Sequence, residues 1–193
     1  MNALLTYFAG IATTIAGAYL VHFLTHRRWW KEYRLRKLEE LYLALQSHEI
    51  AISEYYTRSA AYLIRPEDAE GLEEQEETLR TDYLKALQED EKKAAVIPMI
   101  VNIYFRDLSP AWQNVEAAKE KLRVENRKAV LIDDRKREAL GRTQREAISK
   151  AVALAILREH IPELAAFTKE MFAKIIRIAD EVKENSLWLS ENG

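Results

Sequence analysis

The chain has 193 residues, with 29 Lys or Arg against 31 Asp or Glu, and its net charge of −2 gives no general attraction to nucleic acid. It contains no cysteine, which excludes disulfides, thiolate metal sites and a cysteine nucleophile. Charged residues make up 31 % of the chain, and 5 Gly and 4 Pro are few, so the composition favours long helices over a sheet.

The first predicted element is an apolar helix from Ala3 to Leu24, which contains no Asp, Glu, Lys or Arg. About 20 apolar residues in a helix cross the hydrocarbon of a bilayer, so this stretch is long enough to span it. A secretory signal peptide carries its positive charge before the apolar region, whereas here the bases follow it. A buried helix of a soluble protein would be hard to enclose in so small a domain. The sequence therefore predicts a transmembrane anchor over residues 1–25.

Small residues recur at four-residue intervals within this anchor. The two rows are Ala9, Thr13 and Gly17, and Gly10, Thr14 and Ala18. Such rows let two helix backbones approach closely in lipid, and they are compatible with a homo-oligomer. Gly and other small residues are also simply common in spans, so a specific helix contact remains open. His22 could respond to protons, but its closeness to the headgroups favours a merely solvated side chain.

Residues 26–37 are predicted to form a basic juxtamembrane collar. Its six bases are Arg27, Arg28, Lys31, Arg34, Arg36 and Lys37. Positive charge is retained on the cytoplasmic side of a membrane, so the N-terminus should lie outside and the C-terminal domain in the cytoplasm. Tyr7, Tyr19, Trp29 and Trp30 suit the two water–lipid interfaces. The predicted location is therefore the inner (cytoplasmic) membrane, with a single span.

Residues 33–190 are predicted to form a cytoplasmic helical bundle, whose first helix runs from Tyr33 to Ile64. Its apolar residues form a heptad seam, interrupted at Glu49 and Ser59. The seam comprises Leu35, Leu38, Tyr42, Leu45, Ile52, Tyr56 and Leu63. After a turn at residues 65–68, residues 67–91 hold eleven acids against two bases. Residues 94–105 are apolar and carry Pro98, which indicates a buried, kinked helix.

The third helix is predicted to begin with Ser109 as N-cap and Pro110 in the first helical position. Whether it breaks near Gly141 remains open. Residues 119–145 hold ten bases against five acids, which favours pairing with the acidic segment over a docking patch for an anionic partner. Residues 160–163 are predicted to restart the chain in a last helix. Its apolar stripe comprises Leu164, Phe167, Met171, Ile175, Ile178, Val182 and Leu189.

No motif for catalysis or cofactor binding is recognisable. The glycine-rich motifs that bind phosphate (G-x-x-x-x-G-K) and dinucleotides (G-x-G-x-x-G) are absent. The zinc-protease motif H-E-x-x-H and the serine-hydrolase motif G-x-S-x-G are absent as well. His160 and Glu163 are three apart, but di-iron bundles need the order Glu-x-x-His, repeated, with further carboxylates. We therefore predict no catalytic, cofactor-binding or metal-binding residues and no enzymatic activity.

Two motifs, residues 37–42 (KLEELY) and 102–108 (NIYFRDL), lie about sixty residues apart behind the apolar start. With that start and the collar, they resemble a group of uncharacterised bacterial single-span inner-membrane proteins with a cytoplasmic helical bundle. The group more often has Tyr-Phe-Pro-Glu-Leu in the second motif, so Arg106 is a departure. The resemblance covers residues 1 to about 122 and implies a location and a fold, but no activity.

The predicted fold class is all-α, with one N-terminal transmembrane helix followed by an antiparallel bundle of about four long helices. The leading functional hypothesis is a membrane-tethered scaffold that recruits an unknown cytoplasmic protein partner, in contact with membrane lipid. The alternative is an oligomerising membrane effector, of toxin or phage-defence type, that permeabilises the bilayer. Its span offers only Thr13, Thr14 and His22 for a polar pore. Nucleic-acid binding by the basic third helix is the least favoured hypothesis.

Overall fold

The computed structural model describes the backbone of residues 2–64, 81, 85, 92, 94–136 and 142–187. Side chains are described for residues 14–64, 81, 85, 92, 94–128, 144 and 146–184. Within these ranges every residue except Ala95 and Phe105 is helical, so the predicted all-α class is confirmed for the described part of the chain.

Five α-helices have bounds within the described residues. They are α1 (Asn2–Ile64), α2 (Val96–Tyr104), α3 (Ser109–Lys136), α4 (Arg142–Ala155) and α5 (Ile161–Leu187). A short 3₁₀ turn, Arg106–Leu108, precedes α3, and a π-helical turn, Ile156–His160, joins α4 to α5. Helix α3 packs against α2, α4 and the π turn.

The chain divides into two compact units. Residues 1–39 and 179–193 form the first, and residues 40–178 form the second. Both α1 and α5 contribute residues to each unit. The second unit contains the helical bundle and most of the buried side chains.

Within the second unit, α1 buries one row of side chains with the three- and four-residue spacing of a packed helix. The row comprises Leu41, Leu45, His48, Ile52, Tyr56 and Ala60. Of the predicted seam residues of α1, four are buried and were predicted correctly: Leu38, Leu45, Ile52 and Tyr56. The other three are only half-buried: Leu35, Tyr42 and Leu63. At the two predicted interruptions, Glu49 and Ser59 are only half-buried, and the row passes through the adjacent buried residues His48 and Ala60.

Helix α3 begins at Ser109 as predicted, but the 3₁₀ turn precedes it, so the last non-helical residue is Phe105. Phe105 has φ −139° and ψ 59°, its N–H donates to Val101 O at 3.0 Å, and its carbonyl accepts from Leu108 N at 2.9 Å. Ser109 is itself helical, with φ −56° and ψ −44°, so it does not act as an N-cap. The 3₁₀ turn supplies the hydrogen bonds that a cap would otherwise provide.

Two prolines lie near helix starts. Pro98 lies in the first turn of α2, where a missing N–H costs nothing. Ala94 before it is also helical and Ala95 forms a turn between the two, so the predicted kink stays a prediction. The last helix, α5, does begin at Ile161 within the predicted residues 160–163, but residues 142–187 are helical without a break through the π turn. The wider turn just before Pro162 relieves the clash that proline causes inside an α-helix.

Candidate functional site

A continuous row of stacked rings runs along one side of α1, from His22 at the end of the predicted anchor into the collar. Centroid distances are 6.3 Å for His22–His26, 6.1 Å for His26–Trp29 and 5.4 Å for Trp29–Tyr33. The row ends where Lys37 Nζ lies 5.9 Å from the Tyr33 ring centroid. These residues follow one another at three- and four-residue steps, which place side chains on a single helix face.

Trp30 broadens this row. Its ring lies 6.2 Å from that of Trp29 and 5.8 Å from that of Tyr33. Together with Phe23, His26 and Arg27, the two tryptophans line an open concavity of about 450 Å³. Four of the five lining residues therefore carry exposed aromatic rings, and the fifth is an arginine.

Arg27, Lys31 and Arg34 are spaced by four and three residues, which places them on a common face beside the ring row. Arg28 lies elsewhere on the helix, where its Nε donates to Glu32 Oε1 at 3.0 Å. Glu32 is the one acid among residues 14–38, against six bases. The collar is thus a positively charged surface with an aromatic stripe.

The helix immediately before the collar exposes large apolar side chains on all sides. Relative exposure is 64 % for Ile15, 57 % for Leu20, 65 % for Val21 and 49 % for both Phe23 and Leu24. The hydroxyl of Thr25 is satisfied within the helix, because it donates to Val21 O at 2.8 Å. Exposed apolar surface of this extent marks an interaction site and not a solvated helix.

Within the part of the chain whose side chains are described, no helix is both long and apolar enough to cross a membrane. The anchor prediction extends beyond that part, since the side chains of residues 1–13 lie outside it. Ala9, Gly10 and Thr13 therefore lie outside the described side chains, whereas Thr14, Gly17 and Ala18 are exposed.

In the second unit, His48 is the most deeply buried titratable side chain of the described residues, with 1 % exposure. Its ring centroid lies 5.9 Å from that of Trp112, and its Nε2 lies 3.9 Å from Glu116 Oε1. The neighbouring Glu49 is half-buried, and burial raises the pKa of its carboxyl. The contact joins α1 to α3, so His48 is part of the packing between these two helices.

The predicted pair His160 and Glu163 does come together, at the end of the π turn. His160 Nδ1 lies 3.9 Å from Glu163 Oε2, and Glu163 Oε1 accepts from Lys121 Nζ of α3. Nδ1 of His160 is buried without a hydrogen-bond partner. One imidazole and one lysine-paired carboxylate are too few ligands for a metal, and among the described residues no three potential ligands cluster.

A polar contact inside the bundle fixes α1 against α3. Asn126 Nδ2 donates to Tyr55 Oη at 3.0 Å, and Ser59 Oγ donates to Asn126 Oδ1 at 2.6 Å. Because the groups are part-buried, a shifted helix would leave an amide without partners. The sequence pattern did not identify this contact, since its members are 67 and 71 residues apart.

The bases of α3 pair mainly with acids of the same helix in the described region. Arg123 binds Glu120 and Lys128 binds Glu125, each three residues apart and each at 2.7 Å. The Arg123 hydrogen bond lowers the pKa of the Glu120 carboxyl. The acidic segment 67–91, apart from residues 81 and 85, and the break near Gly141 lie outside the described residues, so the proposed pairing between the two segments stays a prediction.

No protein-family model, curated protein or solved structure matches this chain. The candidate site is therefore interpreted from its own chemistry, and the strongest chemical signal is the collar with the exposed apolar helix before it.

Proposed function

We propose that this protein is a membrane-tethered helical scaffold without catalytic activity, anchored by residues 1–25 in the inner (cytoplasmic) membrane. The observation that carries the proposal is the change along α1 from exposed apolar side chains at residues 15–24 to stacked rings and bases at residues 26–37. A lipid-embedded helix has this order, with aromatic residues at the interface and bases beyond it.

The direction of insertion follows from the charge. Six bases and one acid follow the apolar helix, which supports a cytoplasmic collar and an external N-terminus. The second unit would then be the cytoplasmic module that recruits a protein partner. Its surface offers exposed apolar pairs on single helix faces, Leu43 with Ile50 on α1 and Met99 with Ile103 on α2.

The full chain should sediment with membranes and remain there after alkaline carbonate extraction. A reporter fused after Gly193 should be active if it works in the cytoplasm and inactive if it works only after export. The reason is that the collar keeps the C-terminal part inside. Export of that reporter would reverse the topology, and recovery of the intact chain in the soluble fraction would refute the anchor itself.

The same proposal includes self-association through the two small-residue rows of the anchor. A Cβ added at Gly17 meets nothing within 4 Å, so Gly17→Ile should leave the folded protomer intact. A bulky side chain there would separate two helices that pack closely in lipid. We expect Gly17→Ile to shift the full chain in mild detergent from oligomer toward monomer in light scattering.

Ala16→Ile is the matched control, because Ala16 is exposed and lies about 100° away around the helix, outside both rows. It should leave the oligomer unchanged. An oligomer that survives Gly17→Ile would mean that the anchor is passive and that copies meet elsewhere.

A further inference from the structure

The collar has a chemistry more specific than that of a generic interface helix. Its concavity is lined by Arg27 together with four exposed aromatic residues, Phe23, His26, Trp29 and Trp30. A guanidinium binds phosphate in a planar, two-point geometry, and aromatic rings offer a flat apolar surface to the carbon skeleton next to that phosphate.

The sign of the charge decides the kind of headgroup. An aromatic cage alone would favour a quaternary ammonium group through cation–π contacts. Arg27 in the lining repels such a cation, and Lys31 and Arg34 continue the basic face beside it. An anionic headgroup is therefore favoured over a zwitterionic one.

Basic residues with stacked rings also suit single-stranded nucleic acid, so the apolar surroundings of the collar must decide between nucleic acid and lipid. Bases and sugars would leave the exposed side chains of Ile15, Leu20 and Val21 in water. A bilayer covers those side chains and presents phosphates at the level of the collar in the same binding event.

We propose that the collar concavity is a binding site for an anionic glycerophospholipid, with the lipid phosphate on Arg27 and its glycerol and upper acyl chain against Trp29 and Trp30. This inference rests on the proposed membrane anchor and adds a lipid class to it. The scaffold would thereby enrich anionic lipid around itself in the leaflet that faces its bundle.

The test uses the full chain in nanodiscs of equimolar phosphatidylcholine and phosphatidylglycerol. In one sample only the phosphatidylglycerol chains are brominated, and in the other only the phosphatidylcholine chains, so tryptophan quenching reports which lipid lies beside the rings. We expect the brominated phosphatidylglycerol to quench more strongly, with about a fivefold local enrichment of that lipid.

Arg27→Gln should bring the two quenching values together, while its neighbour Arg28→Gln should retain the preference. Both variants remove one exposed charge, but Arg28 already binds Glu32 and does not line the concavity. If both variants lose the preference equally, the effect is bulk charge and the site is refuted.

The remaining outcomes separate the inference from its premise. Equal quenching by both lipids in the unmodified chain overturns the lipid preference and leaves the anchor standing. Quenching by neither lipid overturns the anchor as well. Loss of the phosphatidylglycerol preference on addition of a 20-residue oligodeoxythymidine would assign the concavity to nucleic acid and refute the proposal.

Discussion

Leu45→Ala should lower the free energy of unfolding by about 2–5 kcal/mol, because it removes a fully buried side chain from the middle of the α1 row. Leu45 is 0 % exposed and lies one turn from His48 and Leu41, which are equally enclosed. The surrounding helices can close only part of the cavity, so most of the lost contact energy remains uncompensated. Urea titration of the full chain in mild detergent measures the change.

Leu43→Ala is the control for this prediction, with the same substitution two residues earlier on the same helix. Leu43 is 57 % exposed, so its truncation should change the stability by less than about 0.5 kcal/mol. Comparable losses in the two variants would mean that the buried row of α1 is misplaced, or that Leu43 is covered by a partner in the folded state.

The contrast between Leu43 and Leu45 shows what spacing could and could not predict. A heptad pattern identified α1 as a packed helix and selected Leu45, Ile52 and Tyr56 correctly. It omitted Leu41 and His48, since leucines at 41, 43 and 45 fit more than one face and a histidine carries no hydrophobic signal. Which face of α1 is buried depends on the helices that pack against it, and the spacing of residues within α1 carries no information about those helices.

The start of α3 was predicted at the right residue but with the wrong local structure. Ser109 before Pro110 is a good local start signal and α3 does begin there, yet the 3₁₀ turn formed by residues 106–108 takes the place of the cap. Phe105 is 3 % exposed, and its burial together with Leu108 holds that turn in place. Tertiary packing therefore outweighed a cap contact worth about 1 kcal/mol.

The collar was the part of the candidate site most accessible to sequence reasoning. Its rings and bases lie within one helix, so their order in the chain fixes their neighbours. The spacing of His22, His26, Trp29 and Tyr33, at steps of four, three and four residues, is enough to predict that their rings stack along one face. The contacts of Asn126 with Tyr55 and Ser59, and of Tyr42 with Phe172, depend on how distant helices meet, so no local pattern reveals them.

The π turn has a sequence signal that a heptad search overlooks. Buried or half-buried side chains occur at every fourth position from residue 152 to residue 168. They are Val152, Ile156, His160, Leu164 and Thr168. In a regular α-helix four such steps would rotate the row by about 160°, away from its partners. A π turn takes up one extra residue and removes about 100° of that rotation, so both ends of the row can face the bundle.

Deleting Glu159 should therefore convert the π turn into a regular α-turn while α4 and α5 keep their buried faces. Glu159 is exposed, but without the wide turn Pro162 would lie inside a regular helix, which costs about 3 kcal/mol. Adding Pro162→Ala to the deletion should recover most of that loss.

Deleting the exposed Ala166 should be far worse, because it rotates Thr168, Met171 and Ile175 by about 100° out of the core. Thermal unfolding of the full chain by circular dichroism ranks the variants, and equal damage from the two deletions would show that the π turn does not maintain the phase of the row.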